Sequence, residues 1–321
     1  MRKIKRILIL LPGLLLLSAC QSVLFSSNNR KEIPSRYDLI NIEKILPEQD
    51  DHPPILHSLE WNTPYPINGA VTSAGLEDSP FITPDGRTLF FFYTPSADIP
   101  AEQQIYDQVT GIYRSVIVSG VWQEPERVML TQGNKVTLDG CPFFQDNTLW
   151  FCSIRTGNLR DIDIWTATWD DSRWTDITNA GTYLNQDLQI GEMHLSSDGA
   201  TLIYHRPDEN HSSGYDLWEV HWEGEKWGLP IKIDNLNSLD DDSRPALSPD
   251  GNELWFTRTY SGTPAIFRSR RVNGEWSTPE LILSQFAGEP SIDSAGNIYF
   301  THHFYRAGNM MEADIYIAEK K

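Results

Sequence analysis

The chain has 321 residues, 11% of them aromatic, and a formal net charge of −18 at pH 7. Such an acidic surface repels nucleic acid and anionic lipid head groups, which argues against nucleic acid as a partner. The aromatic residues, together with 21 glycines and 20 prolines, favour many short β-strands joined by tight turns.

Residues 1–19 have the layout of a secretory signal peptide. Four basic residues precede an apolar run from Ile7 to Leu17, which is too short for a membrane-spanning helix of about 20 residues. The run ends in Leu17-Ser18-Ala19-Cys20, which resembles the lipobox of bacterial lipoproteins. The resemblance implies cleavage before Cys20 and a lipid anchor on its sulfur. It also implies a place in the cell envelope, in the outer membrane or on the cell surface.

Residues 20–55 predict a flexible tether between the membrane and a folded domain. The stretches 26–31 and 48–54 are polar and rich in turn-forming residues, and such composition disfavours a packed core. Residues 56–321 remain for one large domain. Without the four basic residues of the leader, 22 basic residues stand against 44 acidic ones, a charge of −22.

An internal repeat predicts the architecture of residues 56–321. Each repeat begins with an apolar strand, a turn of the Pro-Asp-Gly kind and a second apolar strand. Proline fixes φ, aspartate bonds the backbone ahead of it, and glycine adopts positive φ. A third strand ending in an aromatic residue and a fourth strand near a tryptophan follow, which together give the length of one propeller blade. The five hairpins span residues 81–92, 143–151, 195–204, 247–256 and 292–300.

The fifth repeat lacks its fourth strand, and a strand near Trp61 can supply it. Residues 59–64 match residues 274–279, which precede the fifth hairpin just as Trp61 precedes the first. We therefore predict an all-β fold, a single propeller of five four-stranded blades closed by the N-terminal strand. The alternative is six blades, with irregular strands hidden in the insert 96–108.

The fourth hairpin carries a resemblance to a known family. Its turn reads Ser248-Pro249-Asp250-Gly251, and with residues 252–256 it resembles the TolB-like, WD-like Pro-Asp-Gly repeat of exported bacterial propellers. The third-strand segments 161–165 and 214–218 fit the same pattern, whereas the turns at 145–147 and 294–296 depart from it. Known members mostly act in binding or assembly. The resemblance therefore implies a non-catalytic module that binds a protein or a polar ligand.

Charged residues lead into the innermost strands, where the ligand sites of propellers commonly lie. Blade symmetry would gather them at one channel mouth, as an acidic ring with a single arginine. They serve either as solvated or blade-bridging charges or as a site for a polar ligand. No cofactor is predicted, and a structural divalent cation is an open alternative. The candidate residues are Glu77, Asp78, Asp139, Glu192, Arg244 and Glu289.

Five-bladed glycoside hydrolases represent an alternative function of another class. They place three carboxylates at the channel mouth, and by that resemblance Asp78 would be the base, Asp139 the modulator and Glu192 the acid. Acidic residues are so abundant here that such a trio arises easily, so the sequence favours a binding module over an enzyme. It contains no phosphate loop, nucleophile elbow or zinc-type spacing, and no metal site is predicted.

Cys141 and Cys152 flank the second hairpin. A two-residue turn at Asp146 and Asn147 would place the two cysteines opposite each other on one face of the sheet. Export allows a disulfide between them, and two small buried thiols are the alternative.

Overall fold

The computed structural model describes residues 34–131, 137–207 and 214–321, and almost all of their regular structure is β-strand. The predicted signal peptide and Cys20 lie outside the described residues. Within these ranges the helical segments are a 3₁₀ helix at Pro47–Gln49, an α-helix at Ala101–Gln104 and a π-helix at Tyr183–Asp187. None of the described helices is long and apolar enough to cross a membrane.

The described strands form four sheets of six, four, four and nine strands. The nine-stranded sheet joins two antiparallel units through one parallel pair, Ala313 with Leu76, so the strands make up five antiparallel units, each built around a hairpin. Two short strands come first, β1 (Ile55–Leu56) and β2 (Tyr65–Pro66). The first unit contains β3 (Leu76–Ile82), β4 (Thr88–Thr94), β5 (Gly111–Val118), β6 (Val121–Trp122) and β7 (Glu126–Arg127). The second contains β8 (Leu138–Gln145), β9 (Thr148–Ile154), β10 (Asp163–Trp169) and β11 (Trp174–Asn179).

The remaining three units follow in chain order. The third contains β12 (Met193–Leu195), β13 (Thr201–Pro207), β14 (Tyr215–His221) and β15 (Ile231–Lys232). The fourth contains β16 (Asp242–Leu247), β17 (Glu253–Tyr260), β18 (Thr263–Val272), β19 (Glu275–Trp276) and β20 (Glu280–Ser284). The fifth contains β21 (Ala287–Ile292), β22 (Ile298–Arg306) and β23 (Asn309–Ala318).

The turn residues explain why the hairpins form where the repeat predicts them. In the fourth unit Gly251 has a φ of +70°, a left-handed conformation that only glycine adopts without steric cost. Asp250 Oδ1 accepts hydrogen bonds from the Ser248 hydroxyl at 2.6 Å and from the Asn252 amide at 3.0 Å. The second hairpin instead uses Asp146 and Asn147, both at positive φ, as a tight two-residue turn requires.

Neighbouring units share apolar cores in a closed order. One core joins the first three units, a second joins the third and fourth, and a third joins the fourth and fifth. The fifth and first units share a core that contains Ile315 and Phe91. In addition, β2 pairs with β23 through Tyr65 and Ile317, and Trp61 forms a bridge to Lys320. The predicted closure by the N-terminal strand is therefore confirmed.

The structure is an all-β propeller, as predicted. The insert 96–108, which the six-blade alternative needs for hidden strands, contains the short α-helix Ala101–Gln104 and no strand. The closed order of five units among the described residues supports five blades, and the blade number stays a prediction.

The structure differs from the predicted flexible tether in residues 34–54, here called the N-terminal segment. Arg36 forms an ion pair with Glu77 of β3, and Lys44 forms ion pairs with Glu312 and Asp314 of β23. Asp50 Oδ2 contacts the ring nitrogen Nε2 of His302 at 2.8 Å. Because charged residues of this segment have buried partners, the part of the predicted tether that the structure describes packs on the domain. Residues 20–33 lie outside the described residues.

Candidate functional site

Four of the five innermost strands carry the same irregularity. In β3, β8, β16 and β21 the pairing register shifts by one residue at a residue followed by proline. Proline has no N–H for the ladder, and the residue before it has positive φ, so the two form a β-bulge. A non-glycine residue at positive φ costs about 1–3 kcal/mol. The bulged residues and their φ values are Ser79 (47°), Cys141 (51°), Arg244 (52°) and Glu289 (59°).

These bulges line a central cavity of about 40 Å³, and each of the five units contributes three consecutive residues to it. In the third unit Glu192 takes the place of the bulged residue. The volume suffices for water or one small ion, because a water needs roughly 10–15 Å³ by this measure. It is far below the roughly 300–1,000 Å³ of small-molecule sites. The lining segments are 79–81, 141–143, 192–194, 244–246 and 289–291.

Arg244 is the central charge of the cavity. Its Nε lies 2.6 Å from Glu289 Oε1 and 3.3 Å from Glu192 Oε1. The side chains of Arg244 and Glu192 are 36% and 22% exposed, whereas that of Glu289 is 7% exposed. One guanidinium therefore holds two carboxylates from neighbouring units, and the arginine and Glu192 face the solvent most.

Glu289 is held as an anion by its neighbours. Its Oε2 accepts hydrogen bonds from the Ser79 amide at 2.8 Å and from the Thr301 hydroxyl at 3.0 Å. Burial acts to raise the pKa of Glu289, but Arg244 and a hydrogen bond from Asp78 outweigh it and lower that pKa to about 2. Glu289 therefore carries its charge at neutral pH.

The other two carboxyl groups take up protons more readily. Burial, and next the Glu289 carboxylate, raise the pKa of Asp78 well above its usual range. Burial raises the pKa of Glu192 to about 7, although Arg244 acts against it. The site thus combines a carboxylate whose pKa is lowered with two carboxyl groups whose pKa values are raised, and one of these, Glu192, titrates near neutrality.

The structure places three of the six predicted site residues, Glu192, Arg244 and Glu289, in the wall of the cavity. Asp78 lies behind them, where it shares the Thr301 hydroxyl with Glu289. The placement of the other two is corrected. Asp139 binds Arg155 Nη2 at 2.5 Å and the Ser153 hydroxyl at 2.6 Å, and Glu77 is buried against Arg36. Neither residue lines the cavity. The predicted catalytic trio is therefore not assembled, because the bulge directs the residue two positions later into the cavity.

Sequence reasoning missed Ser79 and Cys141 as cavity residues. The recurring dipeptides could have revealed them, because Ser79-Pro80 and Cys141-Pro142 align with Arg244-Pro245 and Glu289-Pro290.

The bulge also changes the cysteine geometry. Gly140, not Cys141, lies opposite Cys152, and both cysteines are free thiols. A hydrogen bond with Cys152 and burial raise the pKa of Cys141 well above its usual range.

His194 is the histidine of the cavity wall. Its ring centroid lies 4.6 Å from that of Phe143, and burial lowers its pKa to about 3, so it is neutral at physiological pH. Among the described residues no group of three or more His, Cys, Asp or Glu side chains is arranged to hold a metal ion.

Comparisons with known proteins show the fold and leave the activity open. No family model and no curated protein matches the chain. The catalytic domain of the Coprinopsis cinerea GH62 α-L-arabinofuranosidase is similar over 83% of this chain and 98% of its own, with a TM-score of 0.50 and 11% identity. The structure of a putative TolB from Agrobacterium tumefaciens covers 77% and 78% of the two chains, with a TM-score of 0.46 and 17% identity. At such low identity, the likeness to the GH62 domain supports the β-propeller fold and nothing finer.

Proposed function

We propose that this chain is an exported, membrane-anchored propeller that binds a protein or a polar ligand at the mouth of the central cavity, without catalysis. One observation carries the proposal. The charged groups of the cavity neutralise one another, since Arg244 contacts both Glu192 and Glu289, and the space they leave is about 40 Å³. A hydrolase needs a cleft that admits its substrate between two free carboxyl groups.

The exposed side chains of the central cavity, Arg244 and Glu192, define which chemical groups of a partner can bind there. Arg244 offers guanidinium N–H donors, and Glu192 offers a carboxyl group that is ionised in part near pH 7. A polar side chain or a peptide carbonyl of a partner can hydrogen-bond to this pair without entering the cavity. The net charge of −18 disfavours a strongly acidic partner.

A cross-linking pull-down from intact cells tests the binding function. The test variant is Arg244→Gln, which removes the exposed guanidinium. The control variant is Arg173→Gln, at an arginine that is 76% exposed and forms an ion pair on the surface. We expect a cross-linked partner with the wild type and with Arg173→Gln, and its loss with Arg244→Gln. The same partner in equal yield from all three proteins would contradict the proposal.

The alternative, a carbohydrate-active enzyme, has one observation in its favour. Glu192 has a pKa of about 7, which suits a general acid. A panel of aryl-glycosides, assayed with the wild type and with Glu192→Gln, separates the two functions. Equal background rates support the binding module, and hydrolysis that Glu192→Gln abolishes supports the enzyme.

The proposed location rests on the leader. Residues 1–19 act as a signal peptide, and Cys20 carries the lipid that holds the propeller at the outer membrane or the cell surface. The acidic propeller then faces its partner from a membrane-bound position.

A further inference from the structure

His205 of β13 connects two residues of the central cavity that belong to different units. Its backbone pairs within the third unit, because its N–H donates to the Glu192 carbonyl at 3.1 Å and its carbonyl accepts from the Gly191 amide at 2.9 Å. Its ring reaches the fourth unit, where Nδ1 lies 3.1 Å from the Arg244 amide nitrogen. One residue therefore holds both Glu192 and Arg244, whose side chains meet at the cavity.

The ring of His205 is a neutral acceptor. The residue is 7% exposed, and burial lowers its pKa to about 3, so the ring carries a single proton at neutral pH. A neutral imidazole donates from one nitrogen and accepts at the other. The Glu192 amide lies 3.4 Å from Nε2, farther than the Arg244 amide lies from Nδ1. The acceptor is therefore Nδ1, and the proton is on Nε2.

The neighbouring residues fix the position of this ring. Tyr215 packs against it edge-on, with ring centroids 4.7 Å apart and 68° between the planes. The backbone at Gly191 comes so close that a Cβ there would lie 2.2 Å from Nε2 of His205, which no side chain tolerates. The imidazole is therefore held in the place from which it accepts the Arg244 N–H.

Arg244 depends on such a partner because its backbone is strained. Its φ of +52° is a left-handed conformation, which a residue other than glycine keeps only where its surroundings impose it. The next unit repeats the arrangement, since the amide of the bulged residue Glu289 donates to the Thr257 hydroxyl at 2.7 Å. His205 lies in β13 and Thr257 in β17, so in both cases a side chain of the preceding unit accepts the N–H of the bulge.

We propose that His205 is the positioning residue of the central cavity. By accepting the Arg244 N–H, it holds the bulge in the conformation that directs the guanidinium to Glu192 and Glu289. Without this acceptor the bulge relaxes, and the guanidinium leaves the two carboxylates. The inference rests on the proposed function only in that Arg244 is the group that meets the partner.

Carbon-13 NMR titration of Glu192 in the full chain carrying Cys20→Ser tests this role. The guanidinium of Arg244 lowers the pKa of Glu192, so its displacement by His205→Leu should raise that pKa by most of the shift that Arg244→Gln produces. His205→Asn, whose Oδ1 can accept in the place of Nδ1, should keep the wild-type value. In the Arg244→Gln background His205→Leu should add nothing, because no guanidinium remains to be displaced.

The control is His221→Leu, at a histidine of the same unit that is 44% exposed, and it should leave the titration unchanged. An unchanged pKa of Glu192 in His205→Leu, or a shift of the same size in the Arg244→Gln background, would overturn the inference. If His205→Leu does not fold by circular dichroism, Gly191→Ala decides, because its methyl group displaces the ring and should raise the pKa in the same way. Failure of the proposed function is a separate result, in which Glu192 titrates as expected while Arg244→Gln still captures the cross-linked partner.

Discussion

Arg36 Nη1 and Glu77 Oε1 form an ion pair of 2.9 Å that joins the N-terminal segment to the first unit, and both side chains are almost fully buried. The arginine also donates to the Val71 carbonyl at 2.8 Å, and the Ser73 hydroxyl donates to Glu77 at 2.5 Å. These bonds satisfy a charge pair that would otherwise be costly to bury. The N-terminal segment is therefore part of the folded domain.

Replacing Arg36 by Ala should destabilise the protein strongly. The change leaves the Glu77 carboxyl group buried without its cation, which typically lowers the free energy of unfolding by about 3–5 kcal/mol. Urea denaturation measures the loss. The matched control is Arg173→Ala, which breaks an exposed ion pair and should cost less than about 1 kcal/mol. Equal denaturation midpoints for the two variants would show that the N-terminal segment does not depend on Arg36.

Glu192→Gln should flatten part of the pH dependence of stability. Burial raises the pKa of Glu192 from 4.5 to about 7, so between these values the folded state binds a proton that the unfolded state releases. The stabilising contribution is full below about pH 4.5 and is lost as pH rises to about 7. We expect the stability of the wild type relative to Glu192→Gln to fall by about 2–3 kcal/mol across that range. Denaturation at pH 5, 6 and 7 measures it, and parallel profiles would refute the burial of this group.

Arg244→Gln should raise the pKa of both Glu192 and Glu289. The guanidinium lowers both values in the wild type, and without it each carboxylate is next to another acidic group in a small cavity. Carbon-13 NMR titration of labelled glutamate follows the two groups. Asp170→Asn, at an exposed position, is the control and should leave both titrations unchanged. Unchanged midpoints in Arg244→Gln would mean that the arginine does not hold the carboxylates.

Cys141 should be a thiol that reacts slowly. The hydrogen bond with Cys152 and burial raise the pKa of Cys141, which reduces the thiolate needed for alkylation. We expect little iodoacetamide labelling of Cys141 in the native protein, full labelling after unfolding, and faster labelling of Cys141 in Cys152→Ala. An intact mass two hydrogens lower without reductant would instead establish a disulfide.

Cys20→Ser should abolish the incorporation of labelled palmitate into the protein. A serine hydroxyl does not accept the diacylglyceryl group, so the lipid anchor does not form. Growth of cells with radioactive palmitate measures the lipid on the protein, with Cys141→Ser as the control that keeps the label. A Cys20→Ser protein that carries as much label as the wild type would rule out lipidation of Cys20.

The hairpins could be predicted from the sequence because each depends on a few local residues. Asp250 and Gly251 determine their turn by hydrogen bonding and by φ, which needs no information from the rest of the chain. The closing strand was readable too, because residues 59–64 repeat residues 274–279. The arrangement of the units around the ring then follows from the number and order of the repeats.

The residues that line the central cavity could be predicted only in part, because a one-residue bulge decides which side chains enter the cavity. Its position leading into an innermost strand predicts Asp139 at the channel mouth. The bulge at Cys141 instead turns that residue into the cavity, and Asp139 forms an ion pair with Arg155. The N-terminal segment was misread for another reason. Its polar composition suggests a tether, but the partners of Arg36 and Lys44 lie far along the chain and become neighbours only in the folded domain.

The pairing of β2 with β23 also has a consequence for the order of folding. Tyr65 and Pro66 pair with Ile317 and Tyr316, and Trp61 forms a bridge to Lys320, so the strands that close the ring lie far apart in the sequence. Pairing at such a separation costs loop-closure entropy before its contacts stabilise the fold. Each hairpin is local by comparison, so ring closure should be a late step in folding that follows the formation of the separate units.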